Sequence, residues 1–207
     1  MPDPWLEMWN ERFSQREYVY GELPNAYLEA HLKKLKPGTI LFPAEGEGRN
    51  AVYAARLGWT VSAFDISIAG QKKALKLAEK NGVTIDYTIG ELSTLGYKPG
   101  QFDALVLIYA HFPPAIRLTY LKTLASYVKK QGIVIFEAFS KSHLEFNARN
   151  PKVGGPRDPD MLYSVEEIRE CFTGFEVLEL VETEIYLKEG DYHEGTGSVI
   201  RFFGRKK

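Results

Sequence analysis

The sequence predicts an α/β protein built on a mostly parallel sheet, and three observations carry that prediction. Apolar runs of strand length alternate with amphipathic helical stretches. One such run, Thr39 to Pro43, enters a glycine-containing turn that opens into a helix. The last two apolar runs are joined by a connection too short for a crossover helix.

Along the chain, Trp5 to Arg16 reads as an amphipathic helix. Tyr18-Val19-Tyr20-Gly21 with Pro24-Asn25 forms a turn before a second helix ending near Leu35, broken by Lys36-Pro37-Gly38. After the strand Thr39 to Pro43 and the turn Ala44-Glu45-Gly46-Glu47-Gly48, a helix from about Asn50 to Leu57 stops at Gly58. Thr60 to Asp65 is a strand, Ile68 to Lys80 a helix closing at Asn81-Gly82, and Val83 to Ile89 another strand. Phe102 to Tyr109 is apolar apart from Asp103, as expected of a central parallel strand covered on both faces. Ala115 to Lys130 is helical and leads to the strand Ile133 to Phe139. A loop from about Lys141 to Tyr163 precedes a helix that begins under Ser164, with Glu167 three residues on completing a capping box. Phe175 to Ile185 and Ser198 to Gly204 are strands joined by Tyr186 to Gly197, hence antiparallel.

With 207 residues, 44% of them hydrophobic, the chain is long enough for one well-buried domain and short for two. A net charge of −1 with mixed signs gives no basic stripe, so small molecules rather than nucleic acid are the expected partners. The single cysteine, Cys171, excludes an internal disulfide, and the sequence has no signal-like or membrane-length apolar segment; the expectation is a cytoplasmic protein with no membrane partner. Its spacing to Ile168 and Phe172 marks that thiol as packed in the core. The His and Cys residues lack metal-ligand spacing, and no metal is expected.

The turn and the strand that follows it have the layout of a nucleoside-cofactor site. Gly46 and Gly48 let the backbone bend tightly, and Asp65, 19 residues after Gly46, ends a strand where a carboxylate can accept hydrogen bonds from both ribose hydroxyls. Gly46, Gly48 and Ala51 also satisfy the dinucleotide pattern, so spacing leaves a nicotinamide- or flavin-dependent oxidoreductase open. Charge separates the cases, because Glu45 and Glu47 repel a pyrophosphate but tolerate the sulfonium and ammonium of S-adenosylmethionine, whose carboxylate Arg49 can meet.

These residues resemble the class I S-adenosylmethionine-dependent methyltransferases, over nearly the whole chain. The resemblance is to their tellurite-resistance and thiopurine methyltransferase branch. It rests on Trp9-Asn10-Glu11-Arg12-Phe13, Tyr20-Gly21 with Pro24-Asn25, Glu45-Gly46-Glu47-Gly48-Arg49-Asn50, Phe64-Asp65-Ile66-Ser67 and His111-Phe112-Pro113-Pro114, together with Glu189-Gly190, Tyr192-His193, Gly195 and Arg201. It implies a doubly wound, Rossmann-like sheet of seven strands with the last antiparallel and helices on both faces. It also implies one domain in which residues 1–36 form a helical cap, 37–140 the cofactor-binding core and 141–207 the acceptor side. The chain departs from the class pattern where Phe42 replaces an acid and Ala44 the first glycine, which leaves Glu45 or Glu47 to serve the methionine end of the cofactor, or a degenerate site in a non-catalytic ligand sensor.

The cofactor residues expected on this basis are Tyr20, Asn25, Glu45, Gly46, Glu47, Gly48, Arg49, Asn50, Asp65, Ile66, Glu91, Leu92, Tyr109 and Ala110. Asp65 would hold the ribose, Glu91 and Leu92 the adenine, and Tyr109 and Ala110 the cofactor floor. His111, leaving the central strand, is the candidate proton acceptor. Arg149, Arg157 and Tyr163, in the long loop, are candidates for binding a small methyl acceptor, a thiol or chalcogen oxyanion. His193, on a strand whose adjacent side chains point to opposite faces, is expected to make a structural hydrogen bond.

Overall fold

The computed structural model describes residues 4–207. Strands β1 (Thr39–Pro43), β2 (Thr60–Asp65), β3 (Asp86–Ile89), β4 (Phe102–Ile108), β5 (Val128–Phe139), β6 (Phe175–Lys188) and β7 (Glu194–Lys206) form a seven-stranded sheet of order β3-β2-β1-β4-β5-β7-β6. The pairs β1/β2, β2/β3 and β4/β5 are parallel, whereas β7 runs antiparallel to both β5 and β6. The helices are α1 (Pro4–Phe13), α2 (Ala26–Leu32), α3 (Arg49–Arg56), α4 (Ile68–Lys80), α5 (Pro114–Ser126), α6 (His143–Arg149) and α7 (Val165–Cys171). None of the helices among the described residues is long and apolar enough to cross a membrane.

The chain divides into two compact units, Met1–Gly96 and Tyr97–Lys207. In the first, β1 buries Ile40, Leu41 and Phe42, and α3 turns Ala51 and Ala54 inward with no exposed surface. The helix starts are set by side chains that satisfy otherwise unpaired N–H groups. Asn25 caps α2 by accepting from Leu28, and Ser67 caps α4 by accepting from Gly70. Three boundaries differ from the sequence pattern. Helix α1 stops at Phe13, not Arg16, α2 stops at Leu32, not near Leu35, and β3 starts at Asp86, not Val83. The Val83 N–H closes α4 by donating to the Ala78 carbonyl, and its side chain packs on Val52 and Leu77. An apolar residue that seals a helix end reads, in sequence alone, like the start of a strand.

In the second unit the expected helix end at Lys130 falls inside β5. The chain enters the sheet at Val128 and shifts register between the β4 partners Phe102 and Ala104, with Gln131 left-handed at φ 65°. Gly132 sits in the bulge because a Cβ there would lie 2.7 Å from Val128 Cγ1 and 2.9 Å from the Asp103 carbonyl oxygen. The segment expected to be a loop, 141–163, holds α6 and two 3₁₀ turns, Pro151–Val153 and Pro159–Met161. The capping box at Ser164 and Glu167 is present. The strands β6 and β7 extend to 14 and 13 residues, longer at the hairpin end than their apolar cores suggest, because Tyr186, Leu187 and Lys188 continue the ladder opposite Thr196, Gly195 and Glu194, where Gly195 and Gly197 break the apolar pattern. Cys171 is a free, buried thiol at the end of α7, and burial raises its pKa to about 11.

Candidate active site

In the first unit, the turn after β1 is left-handed three times, at Ala44 (φ 51°), Gly46 (φ 60°) and Gly48 (φ 85°). Ala44 thus keeps the conformation that suits the glycine it replaces in the class pattern, at a cost in local strain. A Cβ on Gly48 would stand 2.5 Å from Ala74 Cβ, and one on Gly46 would stand 2.9 Å from Phe13 Cζ. These glycines are therefore demanded by the helices packed against the turn.

The polar side chains of the turn are engaged with the protein itself. Glu45 Oε1 accepts the N–H groups of Asn50 (2.9 Å) and Ala51 (2.7 Å), capping α3, whose N-cap Gly48 has no side chain to do so. Glu47 accepts the Val19 N–H at 2.8 Å and pairs with Lys73 Nζ at 2.7 Å. Arg49 donates to the carbonyls of Tyr20 (3.2 Å) and Leu23 (3.4 Å), and Asn50 Oδ1 accepts the Asn25 N–H at 2.9 Å. The Tyr20 hydroxyl accepts from Arg12 at 3.2 Å. Segment 17–25 is accordingly strapped down by the same residues that the sequence pattern assigns to the cofactor.

Asp65 ends β2 with Oδ2 accepting the Gly46 N–H (3.0 Å) and Oδ1 the Ser67 N–H (2.8 Å). A carboxylate has about four lone-pair positions, so acceptor capacity remains. Ile66 is half-buried, Leu92 is buried and Glu91 is exposed ahead of the 3₁₀ turn Leu92–Thr94. Burial raises the pKa of Glu45 to about 8 despite its two backbone donors and nearby Arg49, and Asp65 and Glu47 are raised by burial as well. Tyr87, whose hydroxyl donates to the Gly46 carbonyl at 2.6 Å, is pushed well up by burial and by all three carboxylates. The end of β1 and β2 therefore gathers three carboxyl groups whose ionised forms are disfavoured by desolvation. Sequence reading missed Lys73 and Tyr87, which sit on elements where their spacing looks like ordinary helix or strand patterning.

In the second unit, Tyr109 follows β4 with φ 53°, a left-handed backbone uncommon for a tyrosine. Its hydroxyl donates to Glu137 Oε1 at 3.1 Å, and Arg201 Nε donates to Glu137 Oε2 at 2.6 Å. Glu137 is 1% exposed, and a carboxylate inside an otherwise apolar strand run was the sequence signal that could have found it. Ala110 is buried, and its carbonyl accepts the Tyr163 hydroxyl at 2.8 Å. Tyr163 is fully buried, with its pKa raised by burial.

His111 is half-buried, with Nδ1 2.8 Å from the Met161 carbonyl and Nε2 accepting the Phe139 N–H at 3.4 Å. The carbonyl requires a proton on Nδ1, so both ring nitrogens serve the main chain. Burial lowers its pKa to about 3, which keeps it neutral near pH 7. The carbonyls on either side of Met161 are held by one guanidinium. Arg117 donates to the carbonyls of Phe112, Asp160 and Leu162 and to the Glu167 carboxylate, and lies 4.6 Å from the Tyr163 ring centre. Arg149 is exposed and pairs with Glu145 at 3.3 Å, whereas Arg157 is exposed at the edge of a groove beside α6. His193 makes its expected hydrogen bond, with Nδ1 3.2 Å from Glu189 Oε2. Among the described residues no group of three or more His, Cys, Asp or Glu is placed to hold a metal.

Residues 40–132 match the model of the methyltransferase-domain family. No curated protein matches the sequence. Among solved structures, one from work on conversion of a disulfide bond into a thioacetal group during echinomycin biosynthesis superposes with TM-score 0.76 at 17% identity, covering 98% of this chain and 92% of that one. TehB from Haemophilus influenzae gives 0.72 at 18% identity over 88% of this chain and 62% of that one. An S-adenosylmethionine-dependent methyltransferase from Anabaena variabilis ATCC 29413 gives 0.69 at 16% identity, over 98% and 93%. The chain has the Rossmann-like methyltransferase fold, and its match to the methyltransferase-domain family runs from β1 into β5.

Proposed function

We propose that this chain is an S-adenosylmethionine-dependent methyltransferase of the tellurite-resistance and thiopurine type, which transfers a methyl group to a small acceptor. The observation that carries the reading is the trio of carboxyl groups gathered at the ligand end of β1 and β2, half-buried Glu45 with buried Glu47 and Asp65, each of which gains from a neighbouring cation because desolvation disfavours its ionised form. Such a place favours a cation. The cofactor is S-adenosylmethionine, whose sulfonium and ammonium relieve that charge, whereas a dinucleotide pyrophosphate would add to it. When bound, it supplies a methyl carbon made electrophilic by the attached sulfonium.

Asp65 accepts the ribose hydroxyls with its remaining lone pairs. The backbone of Gly46 to Arg49 and the carboxylate of Glu45 face the methionine end, and Ile66, Glu91 and Leu92 frame the adenine. Tyr20 and Asn25 hold the strap that closes the cofactor end of the first unit. The assignments of Tyr109 and Ala110 to the cofactor, and of Arg149, Arg157 and Tyr163 to the acceptor, belong to the same proposal, as do one methyltransferase domain and a cytoplasmic setting.

His111, with both nitrogens engaged, holds main chain in position and accepts no proton from substrate. An acceptor that arrives already nucleophilic, a thiolate or a chalcogen oxyanion, needs no such base. The acceleration then comes from holding the nucleophile in line with the departing sulfur, a contribution of roughly 7–11 kcal/mol in favourable cases.

Isothermal titration with S-adenosylmethionine and S-adenosylhomocysteine tests the cofactor. Micromolar binding, weakened at least tenfold in Asp65→Asn, is expected; Asn keeps one acceptor oxygen for the backbone, so the variant is the milder partner to Asp65→Ala. Failure of the folded wild type to bind either compound would overturn the reading. Methyl transfer to thiols, selenite and tellurite then tests the acceptor class, and His111→Gln is expected to leave the pH profile of turnover unchanged.

A further inference from the structure

One face of α6 borders a groove of about 350 Å³ walled by Leu144, Asn147, Ala148, Pro151 and Arg157. Leu144, Asn147 and Ala148 share one face of α6 at helical spacing, and Pro151 opens the 3₁₀ turn that follows. Three of the five are apolar, and the two polar ones are available to a ligand. Asn147 is 7% exposed, and its Nδ2 donates to the Gly154 carbonyl at 2.6 Å. Its Oδ1 accepts no hydrogen bond from any described residue. Arg157 is exposed and makes no hydrogen bond or ion pair with any described residue.

The rim that carries Arg157 is fixed by contacts on several sides. Gly154 and Gly155 are left-handed at φ 69° and 80°, and a Cβ would stand 2.1 Å from the Tyr192 carbonyl oxygen at the former and 2.7 Å from Phe139 Cδ2 at the latter. His143 Nε2 lies 3.0 Å from the Gly154 carbonyl, while its Nδ1 accepts the Ser198 N–H at 3.3 Å, so the proton is on Nε2 and is donated to Gly154. Asn150 Nδ2 donates to the Glu194 carbonyl at 3.0 Å. Two residues beyond this pinned glycine pair, the chain presents Arg157. A guanidinium pairs with a carboxylate through two parallel N–H bonds, the aliphatic wall suits a compact apolar body, and Asn147 Oδ1 accepts from a hydroxyl or amine. The volume is at the lower end of the range for small-molecule sites.

We infer that the α6 groove binds small organic carboxylates that carry a compact apolar body and a hydroxyl or amine donor. This site lies within the second unit and shares Arg157 with the acceptor assignment of the proposed function, but its test needs neither cofactor nor methyl transfer. The probe is 4-hydroxyphenylacetate, titrated calorimetrically and followed by NMR, beside phenylacetate, which lacks the donor, and inorganic sulfate, which lacks the apolar body. The wild type is expected to bind 4-hydroxyphenylacetate more tightly than phenylacetate and not to be competed by sulfate. Arg157→Gln, which removes the charge, and Ala148→Phe, which fills the groove, are each expected to weaken binding at least tenfold without changing S-adenosylhomocysteine affinity. Both positions are exposed, so both variants should fold. No binding of the probe at millimolar concentration, affinities within twofold of wild type in both variants, or full competition by sulfate would overturn the inference. Loss of S-adenosylhomocysteine binding alone would sink the methyltransferase reading and leave the groove standing.

Discussion

Glu45 concentrates the electrostatics of the turn, because its carboxylate must choose between ionisation in a desolvated place and two backbone donors that prefer it charged. A carboxyl whose pKa rises from 4.5 to about 8 on folding binds its proton more tightly in the native state. Its contribution to stability is therefore full at low pH and is lost as pH rises through the window from 4.5 to about 8. His111 works in the opposite sense. Lowered from 6.5 to about 3, it contributes fully above 6.5 and loses that contribution as pH falls toward 3. Between 4.5 and 6.5 the two offset each other; between 6.5 and 8 Glu45 acts without His111. Urea denaturation of the wild type is thus expected to show stability falling over that upper window, by at most about 2 kcal/mol at the limiting slope of about 1.4 kcal/mol per pH unit. Glu45→Gln keeps an acceptor for the Asn50 and Ala51 N–H groups and should show a flatter profile there. Equal slopes in the two proteins would refute the assignment.

At the scale of elements, Arg117 decides where the chain between α6 and α7 lies, since one guanidinium serves three carbonyls and a carboxylate. Arg117→Met should lower stability by at least about 2 kcal/mol, given roughly 1–3 kcal/mol for each buried acceptor left unsatisfied. Arg117→Lys should do no better, because an ammonium on a flexible stem cannot span the same set of acceptors. Restoration to within 0.5 kcal/mol of wild type by Lys, judged from urea midpoints, would mean that charge rather than fork geometry matters.

The same element scale shows what the sequence could and could not disclose. Strand β4 was legible because a parallel strand covered on both faces reads as an apolar run, here unbroken from Ala104 to Ile108, and α7 because a capping box has a fixed spacing. The antiparallel β6–β7 pair followed from the length of its connection. Helix α6 was not legible: it is seven residues long and its two inward groups are His143 and Asn147, so no apolar stripe announces it. The turn after β1 was recognised as a ligand-site motif, but its polar residues also tie down segment 17–25. Spacing along the chain cannot reveal partners more than twenty positions away, such as Val19 for Glu47 and Asn25 for Asn50.

For the whole molecule, the cofactor reading makes a thermodynamic demand that needs no knowledge of the acceptor. A ligand that binds only the native state stabilises it by about 2.7 kcal/mol at one hundred times its Kd. For a chain of this length that corresponds to an upward shift in Tm on the order of 5–10 °C. Calorimetric scans with and without S-adenosylhomocysteine should show it in the wild type and show much less in Asp65→Asn; an unchanged Tm in both would contradict the proposal.

The solitary thiol described at the end of α7 has a practical corollary. Cys171 is 5% exposed and stays protonated well above neutral pH, so its sulfur can attack an aromatic disulfide or maleimide only when α7 lifts away and the thiolate forms in water. With one cysteine in the chain, every labelling event reports that opening and nothing else. The unmodified protein thus carries its own chemical clock for how often the second unit breathes.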